Sequence, residues 1–244
     1  MKEHEERRHE ILDAAQRLFY TQGYADTPVS AILGAVGVAK GTFYHYFKGK
    51  EDVLDQLVER SLAQVVPGAQ EIADTPGRDP LDKLLGVFDL VSNWKMQNRE
   101  LMLEMVRVFY RDENVLLRTK VYRTSRRYMA PVMGRIIAEG VESGVFNTPH
   151  PHHAANIVFR ISESMGDDMY ELILRLGQDP QSADALLEHI EAFETAMERI
   201  IGAPEGSLHI VNRELLDHFA SPHDQGNGAG PGDRAGRTER TSHD

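Results

Sequence analysis

Only Gly37-Val38-Ala39 separates two short helical patterns, Val29 to Val36 and Lys40 to Phe47. A link that short holds two helices against one another at a steep angle, as a Gly-containing turn does. Thr27-Pro28 reads as the start signal of the first, because Thr can cap free amides and Pro fits the first helical position. Gly37 ends that helix and Gly49 ends the next. Ile32, Leu33, Val36, Val38, Phe43 and Phe47 form the small apolar set that would fix the pair.

The surroundings are helical too. Ile11, Leu12, Ala15, Leu18 and Phe19 recur at helical spacing within residues 8–22 and stop at Gly23. Lys50-Glu51-Asp52 opens a longer amphipathic helix that runs through Val65, with its acids where a helix dipole favours them. Pro67, Gly68, Pro76, Gly77 and Pro80 predict a bend or loop over 67–80. Beyond it the pattern gives helices over about 81–97, 99–110, 113–143, 152–176, 182–201 and 208–219. No alternating strand pattern occurs, so the expected fold class is all-α. The expected organisation is a head over residues 1–50, a helical body over 51–219 entered by a linker helix from about residue 50, and a disordered tail over 220–244, which is poor in apolar residues.

Charge is distributed unevenly. The chain carries 27 Lys and Arg against 38 Asp and Glu, a formal net charge of −11, yet no carboxylate occurs from Thr27 to Lys50. Screening over roughly 8 Å at physiological salt lets such a patch act locally. A gap in acid filled with Lys, Thr, Tyr and His suits a surface facing phosphates. At the start of the second short helix, Lys40 can donate to guanine acceptors and Thr42 can meet thymine or a phosphate, while Gly41 permits close backbone approach. Tyr44 and His45 complete the base-facing group, and Tyr46, Lys48 and Lys50 are placed for phosphates, which set register without reading sequence.

The run Ile11-Leu12-Asp13-Ala14-Ala15, Leu18-Phe19, Gly23-Tyr24, Thr27, Val29, Ile32, Gly37-Val38, Lys40 to Phe47, Lys50-Glu51 and Leu54 resembles the N-terminal domain of the TetR family of bacterial transcriptional regulators. The resemblance covers about the first quarter of the chain. It implies a three-helix helix-turn-helix DNA-binding head, a homodimer, and a larger helical domain for ligand binding and dimerisation. By the same resemblance, Lys40, Gly41, Thr42, Tyr44 and His45 fall on positions that face bases, Tyr46 and Lys50 on positions that hold phosphates, and Thr27 near the DNA backbone at the start of the second helix. Pro28 departs from the Ser or Thr more usual in the family and removes a hydroxyl there.

One short helix reads few base pairs, so two copies roughly 34–36 Å apart on a palindrome are expected. Apolar stripes containing Ile157, Ile161, Met165 and Leu172, and Leu186, Ile190, Phe193 and Met197, are candidates for a four-helix dimer interface, with packing inside the subunit as the other reading. Trp94, Met102, Met105, Phe109, Tyr122, Tyr128, Met129 and Phe159 make an adaptable apolar set for an unknown small-molecule effector, and equally an ordinary core. His150, His152 and His153 cluster at a helix start split by Pro151; solvated caps are the expected role, and no metal or cofactor is assigned.

No catalytic constellation appears. His4-Glu5-Glu6-Arg7-Arg8-His9 places its second His one residue too far on for a zinc-protease motif, and the glycines of 226–232 lack the flanking strand and helix of a phosphate loop. There is no Gly-x-Ser-x-Gly elbow. With no Cys, no signal core and no long apolar run, the expectation is a soluble cytoplasmic protein that is not an enzyme. The expected function is a ligand-responsive dimeric repressor. The alternative is a TetR-like DNA-binding protein whose body docks a protein partner.

Overall fold

The structure, a computed structural model, describes residues 2–98, 106–176, 178–211 and 216. Among them every regular element is helical: α1 (Lys2–Thr21), α2 (Val29–Val36), α3 (Lys40–Tyr46), α4 (Lys50–Leu62), α5 (Val66–Asp74), α6 (Pro80–Gln97), a helical stretch at 106–109, a 3-10 turn (Asp112–Asn114), α7 (Val115–Ser143), α8 (Pro151–Arg175) and α9 (Pro180–Ile201). The expected all-α class holds. The proposed tail over 220–244 lies outside the described residues.

The head is α1 to α3 closed by α4. Ile11, Leu12, Ala15 and Phe19 from α1 meet Ile32, Phe43, Phe47, Val53, Leu54, Leu57 and Val58 in one buried cluster. Leu33, Val36 and Val38 are partly buried around it. Gly37 makes the α2–α3 turn possible: at φ 74° it is in the left-handed region. From there its N–H donates to the Leu33 carbonyl at 2.8 Å. Phe109 and Leu117 enter the same cluster from the body, so the head core continues into the body.

The body centres on α7 and α8. Their crossing is close because Gly134 has no side chain where His152 lies. Met129, Val132, Met133, Ile136 and Ile137 of α7 bury against Ala154, Ala155 and Val158 of α8 and against Phe193, Met197 and Ile201 of α9. Each large side chain so buried contributes about 1.5–3 kcal/mol. Lys83, 3% exposed, ties three helices: its ammonium donates to both Glu139 oxygens, at 2.8 and 2.7 Å, and to the Ala73 carbonyl at 3.1 Å.

Two expectations need correction. The predicted loop over 67–80 is instead the helix α5 followed by a short turn. Pro67 sits in its first turn, where the missing N–H costs nothing, and Val66, Ala69 and Ala73 supply a buried stripe. The expected helix at 208–219 does not begin at Leu208: residues 203–211 are not helical. The amides there bond to side chains. Glu198 accepts from Gly206 N at 3.0 Å and Leu208 N at 2.9 Å, and Glu194 accepts from Ile210 N at 2.6 Å. Burial pushes the Glu194 carboxyl up, opposed by the amide bonds it accepts from Ile210 and Val211.

Candidate nucleic-acid interface

α3 has only seven residues, and its placement comes from what lies beneath it. Phe43 and Phe47 are 0% and 1% exposed and anchor it on α1 and α4. The opposite side carries Lys40, Gly41, Tyr44, His45 and Lys48, all exposed, with Thr42 and Tyr46 half-buried beside them. Tyr44 is 50% exposed, a large apolar ring that the fold leaves in water, and the Lys40 ammonium stands 5.9 Å over it. Neither α2 nor α3 has an acid in its first turn or a side-chain cap, so the positive ends of both helix dipoles are left uncompensated.

The first carboxylates after this gap have internal partners. Asp52 accepts from the Lys48 amide at 2.8 Å and from Gln56 Nε2 at 3.0 Å. Glu51 pairs with Lys120 of α7 at 2.9 Å, and that hydrogen bond holds its carboxyl below the usual range. The surface around α3 therefore stays cationic and polar.

Sequence reasoning missed His4. From the start of α1 its Nε2 lies 3.2 Å from His45 Nε2, and its ring packs 4.5 Å from that of Tyr46. One imidazole donates and the other accepts, which steadies α3 from its outer side. Forty-one positions separate the two histidines, and no local pattern signals such a pair.

Two expected contacts are changed by the structure. Thr27 is 0% exposed and so offers no surface for DNA: its hydroxyl donates to the Gly23 carbonyl at 2.7 Å, in the turn that follows α1. Nor does it cap α2, whose N-cap is Pro28. Lys50 is occupied inside the head. Its ammonium donates to the Tyr24 carbonyl at 2.6 Å and to Ala25 at 3.3 Å, over the Tyr24 ring at 4.3 Å. Burial lowers its pKa, with Asp26 opposing. One of its three donors is left for solvent or a phosphate.

Besides the shared apolar cluster, two polar clasps among the described residues join the head to the body. Lys120, 4% exposed, reaches Asp55 at 2.6 Å in addition to Glu51. Burial pulls its ammonium down, but the bonds to Asp55 and Glu51 outweigh this and its pKa is raised. Asn114 accepts from the Ala25 amide at 3.0 Å and donates to the Val108 carbonyl at 2.9 Å, pinning the loop after α1 to the start of α7.

The described members of the expected effector set fall into two packed groups and an isolated Trp94, with Phe109 edge-on to Tyr122 at 5.6 Å. Phe109 belongs to the head core, Tyr122 bonds to Tyr110 (OH to OH, 2.9 Å), and Met129 is buried in the body core with Tyr128 and Phe159 at its edge. Met102 and Met105 lie outside the described residues. Trp94 stands apart in a polar cleft of about 330 Å³ between head and body, lined with Asp13, Gln16, Arg60, Gln64 and Asn98.

The expected interface stripes divide. Leu186, Ile190, Phe193 and Met197 are 1–5% exposed and pack inside the subunit, which corrects their assignment. The reason is that α9 turns its apolar stripe onto α8 and the segment after Ile201, leaving little for a partner. Ile157 is 49% exposed, and Ile161, Met165 and Leu172 are partly buried. The His150 and His153 rings lie 6.0 Å apart.

Residues 11–57 match the sequence pattern of the family described as bacterial regulatory proteins, tetR family. Among curated proteins, the HTH-type transcriptional repressor KstR2 of Mycolicibacterium smegmatis is 29% identical over 158 residues, 63% of this chain and 73% of that protein. The fatty acid metabolism regulator protein of Bacillus subtilis is 29% identical over 144 residues, 59% of this chain and 73% of that protein. Among solved structures, SmeT, the repressor of the Stenotrophomonas maltophilia multidrug efflux pump SmeDEF, aligns with a TM-score of 0.60 at 20% identity, over 84% of this chain and 95% of that one. That last likeness shows the fold. No helix among the described residues is long and apolar enough to cross a membrane.

Proposed function

We propose that this chain, a transcriptional regulator of the TetR family, acts as a dimeric repressor that leaves a palindromic operator when a small molecule binds its body. The observation that carries the reading is the exposed, acid-free face of α3, held in place by Phe43 and Phe47. Lys40, Gly41, Thr42, Tyr44 and His45 would face base edges, and Tyr46, Lys48 and the remaining donor of Lys50 would face phosphates. Support for a small-molecule response comes from SmeT, which shares the fold and is known as a complex with triclosan. Ile157, exposed on α8, is the natural centre of a subunit contact, with Ile161 and Met165 flanking it.

Release follows from geometry. Two reading helices spaced for one DNA turn lose affinity when the subunits rotate. A ligand drives that rotation only by the difference in its affinity for the two arrangements. The clasps at Lys120 and Asn114 would carry the movement from α7 to the head. Selection of bound duplexes from a random pool, followed by competition against unselected DNA, tests the reading: enrichment of an inverted repeat is expected, and no enrichment would reject it.

A second reading, a body that docks another protein, draws on Val115 and Leu116, exposed side by side at 51% and 42% at the start of α7.

A further inference from the structure

The geometry points to a binding site in the cleft between head and body for a small, uncharged, planar molecule that presents a hydrogen-bond donor and an acceptor side by side, as an aromatic carboxamide does. Its walls come from both parts of the protein. Asp13 and Gln16 belong to α1 in the head, Arg60 to α4, and Trp94 and Asn98 to the end of α6 in the body. Tyr20, also on α1, is half-buried, and burial pushes its hydroxyl up in pKa, with Gln16, Ser61 and Arg60 opposing.

The wall chemistry selects the guest. Arg60 is already neutralised by Asp13 at 2.6 Å and bonded to Gln16. An anion would have to displace Asp13, and a cation would have to displace Arg60. Gln64 commits its oxygen to Trp94 Nε1 at 2.8 Å and keeps its NH₂ as a donor. Asn98 commits its NH₂ to the Trp94 carbonyl at 2.8 Å and keeps its oxygen as an acceptor. A donor on Gln64 and an acceptor on Asn98, both residues bonded to Trp94, suit a flat molecule carrying the complementary pair. An apolar chain would make no hydrogen bond to either group.

A guest touching α1 and α6 together favours one placement of the head on the body. That consequence rests on the ligand-responsive reading above; the existence of the site does not.

Trp94 is the single Trp of the chain, so its emission reports this cleft. The probes are nicotinamide, neutral and planar, and nicotinate, its anionic counterpart. Nicotinamide should change Trp94 emission saturably, and nicotinate at least tenfold more weakly. Gln64→Leu and Asn98→Leu should each weaken the nicotinamide response at least fivefold while thermal melts show folded protein. A strictly linear response matching that of free tryptophan amide, or equal binding by both variants, overturns the site. Duplex binding is read separately by anisotropy. Protein that binds duplex but gives no saturable Trp94 response overturns the cleft and leaves the regulator reading standing. A saturable response in protein that binds no duplex does the reverse.

Discussion

Lys120 of α7 lies almost wholly buried with its Nζ 2.6 Å from Asp55 Oδ1 on α4, and it holds Glu51 one turn earlier at 2.9 Å. A single cation thus joins the body to the helix that closes the DNA-binding head. The carboxylates are 47% and 63% exposed, so solvent screens much of the attraction. Lys120→Met should lower stability by about 1–2 kcal/mol, well short of a fully buried pair. Calorimetry should show a fall of roughly 2–8 °C in melting temperature. If Lys120 transmits the ligand signal, the variant should also hold DNA with less sensitivity to effector; unchanged sensitivity would remove it from the coupling path.

The same triad sets a pH dependence. Glu51 is held below the usual carboxylate range, so its contribution is complete above that range and is lost as pH falls through the lowered value. Lys120 is held above the usual lysine range, so its contribution is complete below that range and disappears only as pH climbs through the raised value. The clasp therefore holds across neutral pH and loosens first in acid. Melting curves of wild type and Lys120→Met should converge as pH falls below about 4; a gap that persists would mean another group stabilises the junction.

Tyr44 and Lys48 are exposed, so on the proposed reading their replacement should be felt in DNA binding rather than in folding. Tyr44→Ala should leave the melting temperature within about 2 °C of wild type and weaken operator binding about tenfold or more. Lys48→Ala should reduce the slope of log affinity against log salt by about 1, uniformly across sequences. Anisotropy titrations at several salt concentrations measure both effects.

Thr27 should behave in the opposite way. Thr27→Val keeps the shape but leaves the Gly23 carbonyl unpaired in a buried site, at a cost of about 1–3 kcal/mol. Once the fraction of folded protein is accounted for, DNA affinity should match wild type. A separate loss of affinity would restore Thr27 as a DNA contact.

On the proposed dimer reading, Ile157 and Met197 separate pairing from folding. Ile157→Asp should convert dimer to monomer in sedimentation at micromolar concentration and weaken operator binding, with the subunit still folded. Met197→Ala, at 1% exposure, should cost about 2–5 kcal/mol by leaving a cavity in the core. A dimer that survives Ile157→Asp would place the contact elsewhere.

What the chain order alone determined was local. Helical spacing, the Gly37 turn and the absence of acid from Thr27 to Lys50 act within a few residues, and they gave α2, α3, the exposed set around Tyr44 and the all-helical class. α5 was legible in its apolar spacing and was hidden by Pro67 and Gly68, which read as breakers unless the first-turn position of Pro67 is known. Only tertiary structure decided the rest. Whether Thr27 faces DNA or the Gly23 carbonyl, whether Lys50 meets a phosphate or the Tyr24 carbonyl, and whether Met197 faces a partner or its own core depend on groups brought together by packing. The His4–His45 pair and the Lys120 clasp span 41 and 65 positions of chain. Hydrogen bonds and charges act over a few ångströms of space, and a linear pattern reports which residues share a helix face, not which distant ones that face will meet.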